Sequence, residues 1–128
     1  MANEIERRYS GRGLHATSLM PGAIMTNLTQ FLGPETLERF AKDEGMRRVS
    51  KSAAQGAATT VWAAVGREWE GAGGKYLENM RVAPPAPQGR ELTIHDDGYK
   101  PHAYDATGAK ELWELSLRLV GANASLLP

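Results

Sequence analysis

Ser52-Ala53-Ala54-Gln55-Gly56-Ala57-Ala58-Thr59-Thr60-Val61-Trp62, followed by Gly71-Ala72-Gly73-Gly74-Lys75-Tyr76-Leu77-Glu78-Asn79, is the stretch that decides the fold. Ser52 and Gln55 stand three residues apart, the spacing of a capping box at a helix start. Ala57, Val61, Ala64, Val65 and Glu68 then recur at helical spacing, with Ala58, Trp62 and Trp69 alongside. The pattern predicts a helix over 53–69 whose wide apolar face suits packing on a sheet. Gly71, Gly73 and Gly74 end it, and 75–82 reads as a strand closed by Pro84, Pro85 and Pro87. Upstream, 14–19 reads as a short strand stopped by Pro21-Gly22. Strand, long helix, glycine turn and strand together make the pattern of a βαβ crossover, so the expected class is α/β. Two parallel strands are few. A parallel sheet wants both faces covered and more neighbours, and here the first strand would carry an unpaired edge. The expected architecture is a portion of a Rossmann-like sheet with flanking helices, the sheet incomplete.

The flanks extend this reading. Residues 2–9 are charged and helix-compatible, with Gly11 and Gly13 ending them and no capping residue in front. Pro34 is placed to open a helix, because proline is tolerated at the first helical position. Leu37, Phe40 and Ala41 then share a face. Residues 84–104 read as an irregular connection. Asp105 is a plausible N-cap for a last helix, whose main apolar stripe is Leu112, Leu115 and Leu119, widened by Trp113 and Leu117 and stopped by Gly121. The tail 122–128 reads as loose. One domain accounts for residues 1–128.

The composition narrows the function. Lys plus Arg number 15 and Asp plus Glu number 15, which leaves no basic footprint for nucleic acid. The absence of cysteine excludes disulfides, thiolate nucleophiles and cysteine-based zinc sites. The charged start lacks the apolar core of a signal peptide, and the most apolar stretch, around 57–65, is too short to span a membrane. These features place the expected protein in the cytoplasm.

Pro21-Gly22-Ala23-Ile24-Met25-Thr26 is the best candidate for function. Gly22 permits close approach of a ligand and the following backbone offers donors. Read by itself, the segment is more often a strand-ending turn with an N-cap threonine, since Pro-Gly turns are common. Gly71-Ala72-Gly73-Gly74-Lys75 fails as a phosphate loop, since Tyr76 stands where Ser or Thr is needed and the turn runs from helix to strand. His95, Asp96, Asp97, His102 and Asp105 carry metal-competent groups, but no periodicity fixes their geometry, so no metal is expected. His15 reads as a partnered structural histidine, because a general base needs a second positioned group and none is evident.

Taken in order, the segments resemble the short-chain dehydrogenase/reductase family, nearest to its retinol-dehydrogenase-like branch found widely in fungi. Residues 2–8 are similar to the end of that family's active-site helix, and 13–22 to its sixth strand with the Pro-Gly turn. Residues 55–62 are similar to the next helix and 74–79 to the seventh strand. His102-Ala103-Tyr104-Asp105 and Leu112-Trp113-Glu114-Leu115-Ser116 are similar to the tail of that branch. The resemblance covers nearly the whole chain and implies a C-terminal half. It implies NADP or NAD as cofactor, with Pro21, Gly22, Ile24 and Thr26 against the nicotinamide and its neighbouring phosphate. It implies a small carbonyl or alcohol substrate in a loop where Leu28, Phe31, Leu32, Leu37, Phe40 and Met46 either line an apolar pocket or simply pack a lid.

Two family features are not found. There is no glycine-rich turn for a pyrophosphate. The family's catalytic Tyr has a Lys four residues on, whereas Tyr9, Tyr76, Tyr99 and Tyr104 are followed at that spacing by Gly13, Met80, Ala103 and Gly108. No catalytic residue is therefore assigned, and the expectation is a truncated oxidoreductase unable to transfer hydride alone. The alternatives are a repurposed non-redox enzyme, such as a cyclase or isomerase, and an interaction module pairing with another copy or with an N-terminal dehydrogenase half.

Overall fold

The computed structural model describes residues 1–93 and 96–122. It is a mixed α/β chain. α1 (Ala2–Tyr9) leads into a 3₁₀ turn and Gly13, whose positive φ of 79° is open to glycine at no steric cost. β1 (Ser18–Met20) follows, then β2 (Ala23–Ile24), α2 (Pro34–Lys42), α3 (Glu44–Val49), β3 (Ser50–Lys51), α4 (Ala53–Val65), β4 (Tyr76–Glu78), β5 (Arg81–Val82) and α5 (Ala106–Leu119).

The βαβ crossover is present. β1 pairs parallel with β4 in the register Ser18–Tyr76, Leu19–Leu77, Met20–Glu78, with α4 packed against both. The sheet is small and incomplete, in the order β1-β4-β5, which leaves β1 at an edge. The segment between β1 and α4 is an excursion closed by a second parallel pair, Ala23–Ser50 and Ile24–Lys51. Leu77, at the centre of β4, is fully buried, and Ala83 and Ala86 complete the buried apolar core among the described residues.

Local expectations were met at the caps. Ser52 Oγ accepts from Gln55 N–H and the Gln55 side chain accepts from Ser52 N–H, the reciprocal bonds of a capping box. Asp105 accepts from Thr107 and Gly108 N–H, as an N-cap should.

Four expectations are corrected. The first strand is shorter and later than 14–19, because Ala16 N–H donates to Glu6 rather than to a neighbouring strand. The long helix stops at Val65, where Gly66 turns extended, and Trp69 folds back edge-on against Trp62 at 5.0 Å. The strand expected over 75–82 is a two-residue hairpin, with Asn79 and Met80 both at positive φ. Such turns match the twist of the flanking strands, but the usual Asn-Gly signal is lacking here.

The fourth correction concerns the apolar stripes. On α4 the sheet-facing positions are Gly56 and Thr59, both buried, while Val61 and Val65 are exposed. On α5 the half-buried residues are Gly108, Ala109, Trp113, Ser116 and Leu117, while Leu112, Leu115 and Leu119 are exposed. Trp113 is the anchor of that face. Tyr9 lies against it at 6.0 Å and the Arg8 guanidinium sits 5.1 Å from its ring, a cation–π contact. Close approach of helix to sheet selects small residues, which a count of apolar side chains overlooks.

In the 84–104 connection, Pro85 and Tyr99 form a single bridge, with Ala86 N–H donating to Tyr99 O at 2.9 Å and Tyr99 N–H to Pro84 O at 3.0 Å. Residues 94–95 and 123–128, which include His95 and nearly all of the expected loose tail, lie outside the described residues.

Candidate functional site at the carboxyl end of the parallel strands

In open α/β sheets, ligands bind beyond the carboxyl ends of the strands. Here that end is Met20 of β1 and Glu78 of β4, and the chain continuing from Met20 is Pro21-Gly22. Gly22 adopts φ 107°, a conformation other residues rarely take. Its neighbours Ala23 and Ile24 are then fixed by the ladder to β3. From below, α4 approaches so closely that a Cβ on Gly56 would stand 2.3 Å from Ile24 Cδ1. The backbone of the turn is thus held by its own conformation, by a strand and by a helix.

A cavity of about 290 Å³ opens beside it, lined by Met20, Gly22, Ala23, Lys51, Asn79 and Asp97 among others. Lys51 donates from Nζ to Pro21 O at 3.2 Å and to Asn79 Oδ1 at 2.6 Å. Asn79 Nδ2 donates to both carboxylate oxygens of Asp97 at 3.1 Å, and Asp97 also accepts from Arg81 at 2.6 Å. Asp96, at the rim, is clamped by Arg90 and by the backbone and hydroxyl of Thr93. Arg90 and those donors hold the Asp96 carboxyl well below the usual range. Both aspartates are thereby engaged as ion-pair partners, and Asp105 as a helix cap. Among the described residues no three metal-ligating side chains converge.

On the other side of the turn, Thr26 ends the extended segment. Its hydroxyl accepts from Leu28 N–H at 3.3 Å, capping the 3₁₀ turn Asn27–Phe31. A second cavity, of about 590 Å³, is lined by Met25, Thr29, Leu37, Phe40, Ala41, Met46, Arg47 and Ser50. Of the apolar residues singled out in the sequence, the structure brings Leu37, Phe40 and Met46 to this cavity. Leu28, Phe31 and Leu32 lie outside its lining and are exposed. Thr29 and Ser50 donate to the carbonyls of Thr26 and Met46 at 2.7 Å each, so the cavity's remaining polar group is Arg47.

No local pattern marks Lys51 or Asn79 for this site. Each is an isolated polar residue beside a stronger local feature, the capping box and the hairpin. His15, at the opposite end of β1, does have a partner: its Nδ1 lies 3.0 Å from Glu6 Oε1, and Glu6 Oε2 accepts from Ala16 N–H. Burial pushes the Glu6 carboxyl up, but those two partners outweigh it and hold it below the ordinary value.

The residues fit one part of a nicotinamide dinucleotide. Extended backbone at the strand ends, with Gly22 carrying no Cβ at φ 107°, is compatible with a flat ring lying against it, as the nicotinamide end requires. The chain has no glycine-rich turn from strand to helix for the pyrophosphate.

Comparison with known proteins finds similarity to short-chain dehydrogenase/reductases and other oxidoreductases. The chain is 51% identical to the short-chain dehydrogenase/reductase prx1 of Penicillium roqueforti, over 96% of this chain and 35% of that protein. It is 40% identical to the oxidoreductase calI of Penicillium decumbens, over 97% of this chain and 37% of that protein. It is 38% identical to a WW domain-containing oxidoreductase of Danio rerio, over 93% of this chain and 25% of that protein. The chain therefore spans about a third of the length of these Penicillium relatives. No family profile and no solved structure matches it. No helix among the described residues is long and apolar enough to cross a membrane.

Proposed function

Because this chain belongs to the short-chain dehydrogenase/reductase family, we infer that its Pro21–Thr26 segment is the nicotinamide-facing wall of an oxidoreductase site. The observation that carries this reading is the position of the Pro21-Gly22 turn. It leaves the carboxyl end of β1 where such sheets bind ligands, and the residues that follow it, Ala23 and Ile24, are held by a strand and a helix. Pro21, Gly22 and Ile24 would present backbone to the cofactor, NADP or NAD. Thr26 uses its hydroxyl oxygen as an acceptor for Leu28 N–H, which leaves its own O–H free to donate.

The bound cofactor would supply hydride chemistry. The chain's own residues would orient the nicotinamide and shield one side of it. The cavity holding Phe40 and Met46 is the proposed substrate side, with Leu28, Phe31 and Leu32 on the exposed turn at its border, and the substrate class is a small carbonyl or alcohol. No Tyr-x-x-x-Lys is available within these residues to move the proton. The proposal is therefore a C-terminal portion of the family's fold that binds and orients without transferring hydride by itself.

The test is urea unfolding of the 128-residue chain with and without saturating NADPH or NADH. A ligand that binds only the folded state raises the midpoint. A cooperative transition that neither cofactor moves would overturn the reading.

The exposed Val61, Val65, Leu112, Leu115 and Leu119 favour a second reading, an assembly module whose apolar faces pack against another copy of the chain. A dimer mass that rises with concentration in light scattering would support it. A monomer at all concentrations would sink it.

A further inference from the structure

We propose that Lys51 is a positioning residue for the Pro21-Gly22 turn, acting through the Pro21 carbonyl to fix the backbone presented to a ligand at the strand ends. It rests on the nicotinamide reading for what that ligand is, but not for the bracing itself.

Lys51 is the last residue of β3. Its side chain reaches back across the turn, packing where a Cβ on Gly22 would stand, 2.8–2.9 Å from its Nζ, Cδ and Cε. A larger residue at 22 would thus evict the lysine as well as strain the backbone. At its end the ammonium joins two segments far apart in sequence: Pro21, 30 residues before it, and Asn79, 28 residues after it. Asn79 is itself pinned. It sits at positive φ in the hairpin turn, and Asp97 accepts from its amide while being held by Arg81. The chain of contacts runs from the Pro21 carbonyl through Lys51, Asn79 and Asp97 to Arg81. It ties the end of β1 to the β4–β5 turn at the mouth of one cavity.

The charge is as significant as the reach. Glu78, Asp96 and Asp97 also line that cavity, and Lys51 is the one cation among its described lining residues. Asp96 is neutralised by Arg90, Asp97 in part by Arg81, and Glu78 accepts from Gly98 N–H, while the ammonium is turned to the Pro21 carbonyl and the Asn79 amide oxygen. A carbonyl pointed at an ammonium cannot rotate without losing a charge-assisted hydrogen bond, which is stronger than a neutral one. Rotation of that peptide plane would turn the Gly22 N–H as well. The lysine therefore governs the direction of the donors at the turn without being required to touch the ligand.

Hydrogen exchange of the full chain tests this directly. Lys51→Met keeps the stem and removes the ammonium. The expected result is about tenfold faster exchange of the Gly22–Ile24 amides, the factor of a net hydrogen bond to a charged group. Amides of α1 and α5 should be unchanged, and Lys51→Arg should largely restore protection. Exchange that accelerates uniformly, or not at all at Gly22–Ile24, overturns the proposal. Should Lys51→Met fail to fold, Asn79→Gly, at an exposed position and free to keep the positive φ, removes the lysine's other anchor and should loosen the same amides by a smaller factor.

NADPH titration of wild type and Lys51→Met separates the two readings. Wild-type binding weakened about tenfold in the variant supports both. Equal affinity in both proteins overturns positioning toward the ligand. If wild type shows no response to NADPH or NADH, the nicotinamide reading fails, and the exchange result alone decides whether Lys51 braces the turn.

Discussion

Gly56→Ala is the change that most directly connects the fold to the candidate site. In an isolated helix it would stabilise by about 1 kcal/mol, since alanine is the better helix former. Here the new Cβ would stand 2.3 Å from Ile24 Cδ1 and 2.6 Å from Ile24 Cγ1. Carbon atoms settle about 3.5–4.0 Å apart, so something must move by more than an ångström. Rotating χ2 of Ile24 would relieve Cδ1 but not Cγ1. Rotating χ1 is resisted because a β-branched side chain has few open wells. Either the helix backs away from β2 or the turn is pushed outward. Overpacking of this kind typically costs about 1–3 kcal/mol, so the net expectation is destabilisation by about 1 kcal/mol after the helix gain is subtracted. Urea unfolding of four proteins measures it: wild type, Gly56→Ala, Ile24→Ala and the double variant. The double variant should recover the loss, because alanine at 24 vacates the space, giving a coupling energy of about 1–2 kcal/mol. If Gly56→Ala is more stable than wild type and the two changes are additive, α4 does not hold Ile24 and the argument for a helix-braced turn is refuted.

Other perturbations probe the supports around the site. Leu77→Ala should destabilise by about 2–5 kcal/mol in the same assay, because it empties the centre of the buried core. Asp105→Ala should cost about 1 kcal/mol and speed exchange at Thr107 and Gly108, whose amides it caps. Glu4 is buried beneath Arg7 and Arg8, and its hydrogen bond to Arg7 leads the effects that lower its carboxyl from an ordinary 4.5 to about 2. A folded-state value below the unfolded one means that its contribution is present above pH 4.5 and is lost as pH falls through that window toward 2. Glu4→Gln should remove about 1 kcal/mol at neutral pH, less than full linkage would give because Arg7 is half exposed, and should flatten the acid limb of the unfolding curve. Leu119→Ser should leave stability within about 0.5 kcal/mol, since that side chain is 76% exposed. A large loss there would mean that α5 buries its leucine stripe in solution.

The crossover was legible because it depends on signals local to the chain. A capping box and a Pro-Gly stop each act within four residues, and both formed where their chemistry required, although the helix ended at Gly66, ahead of the expected glycine turn. What was misjudged depends on packing across the chain. α4 carries apolar residues on more than one face, so periodicity could not say which face meets the sheet. Distance decided it: Gly56 and Thr59 let the helix backbone come close, and the buried Thr59 hydroxyl also accepts from Met80 N–H at 3.2 Å. The hairpin escaped notice for a related reason. Met80 has no intrinsic liking for positive φ, and that bond from its amide to α4 is one of the tertiary contacts that hold it there.

The candidate site divides along the same line. Pro21-Gly22 announces a turn in any sequence, and the family resemblance adds an expectation of what the turn faces. Its supports carry no such mark. Gly56 reads as a weak point in a helix, yet the space of its missing side chain is filled by Ile24. Lys51 reads as an ordinary surface cation, yet its ammonium links residues 30 before and 28 after it. In both cases the decisive partner lies nearly thirty residues or more away, beyond the reach of any spacing rule, and in both the contact falls on the segment from Pro21 to Ile24. A glycine below and a lysine above act on the same short stretch of backbone. Substituting either should change the exchange of the Gly22–Ile24 amides more than that of any other amides, and a ligand that binds there should feel both changes.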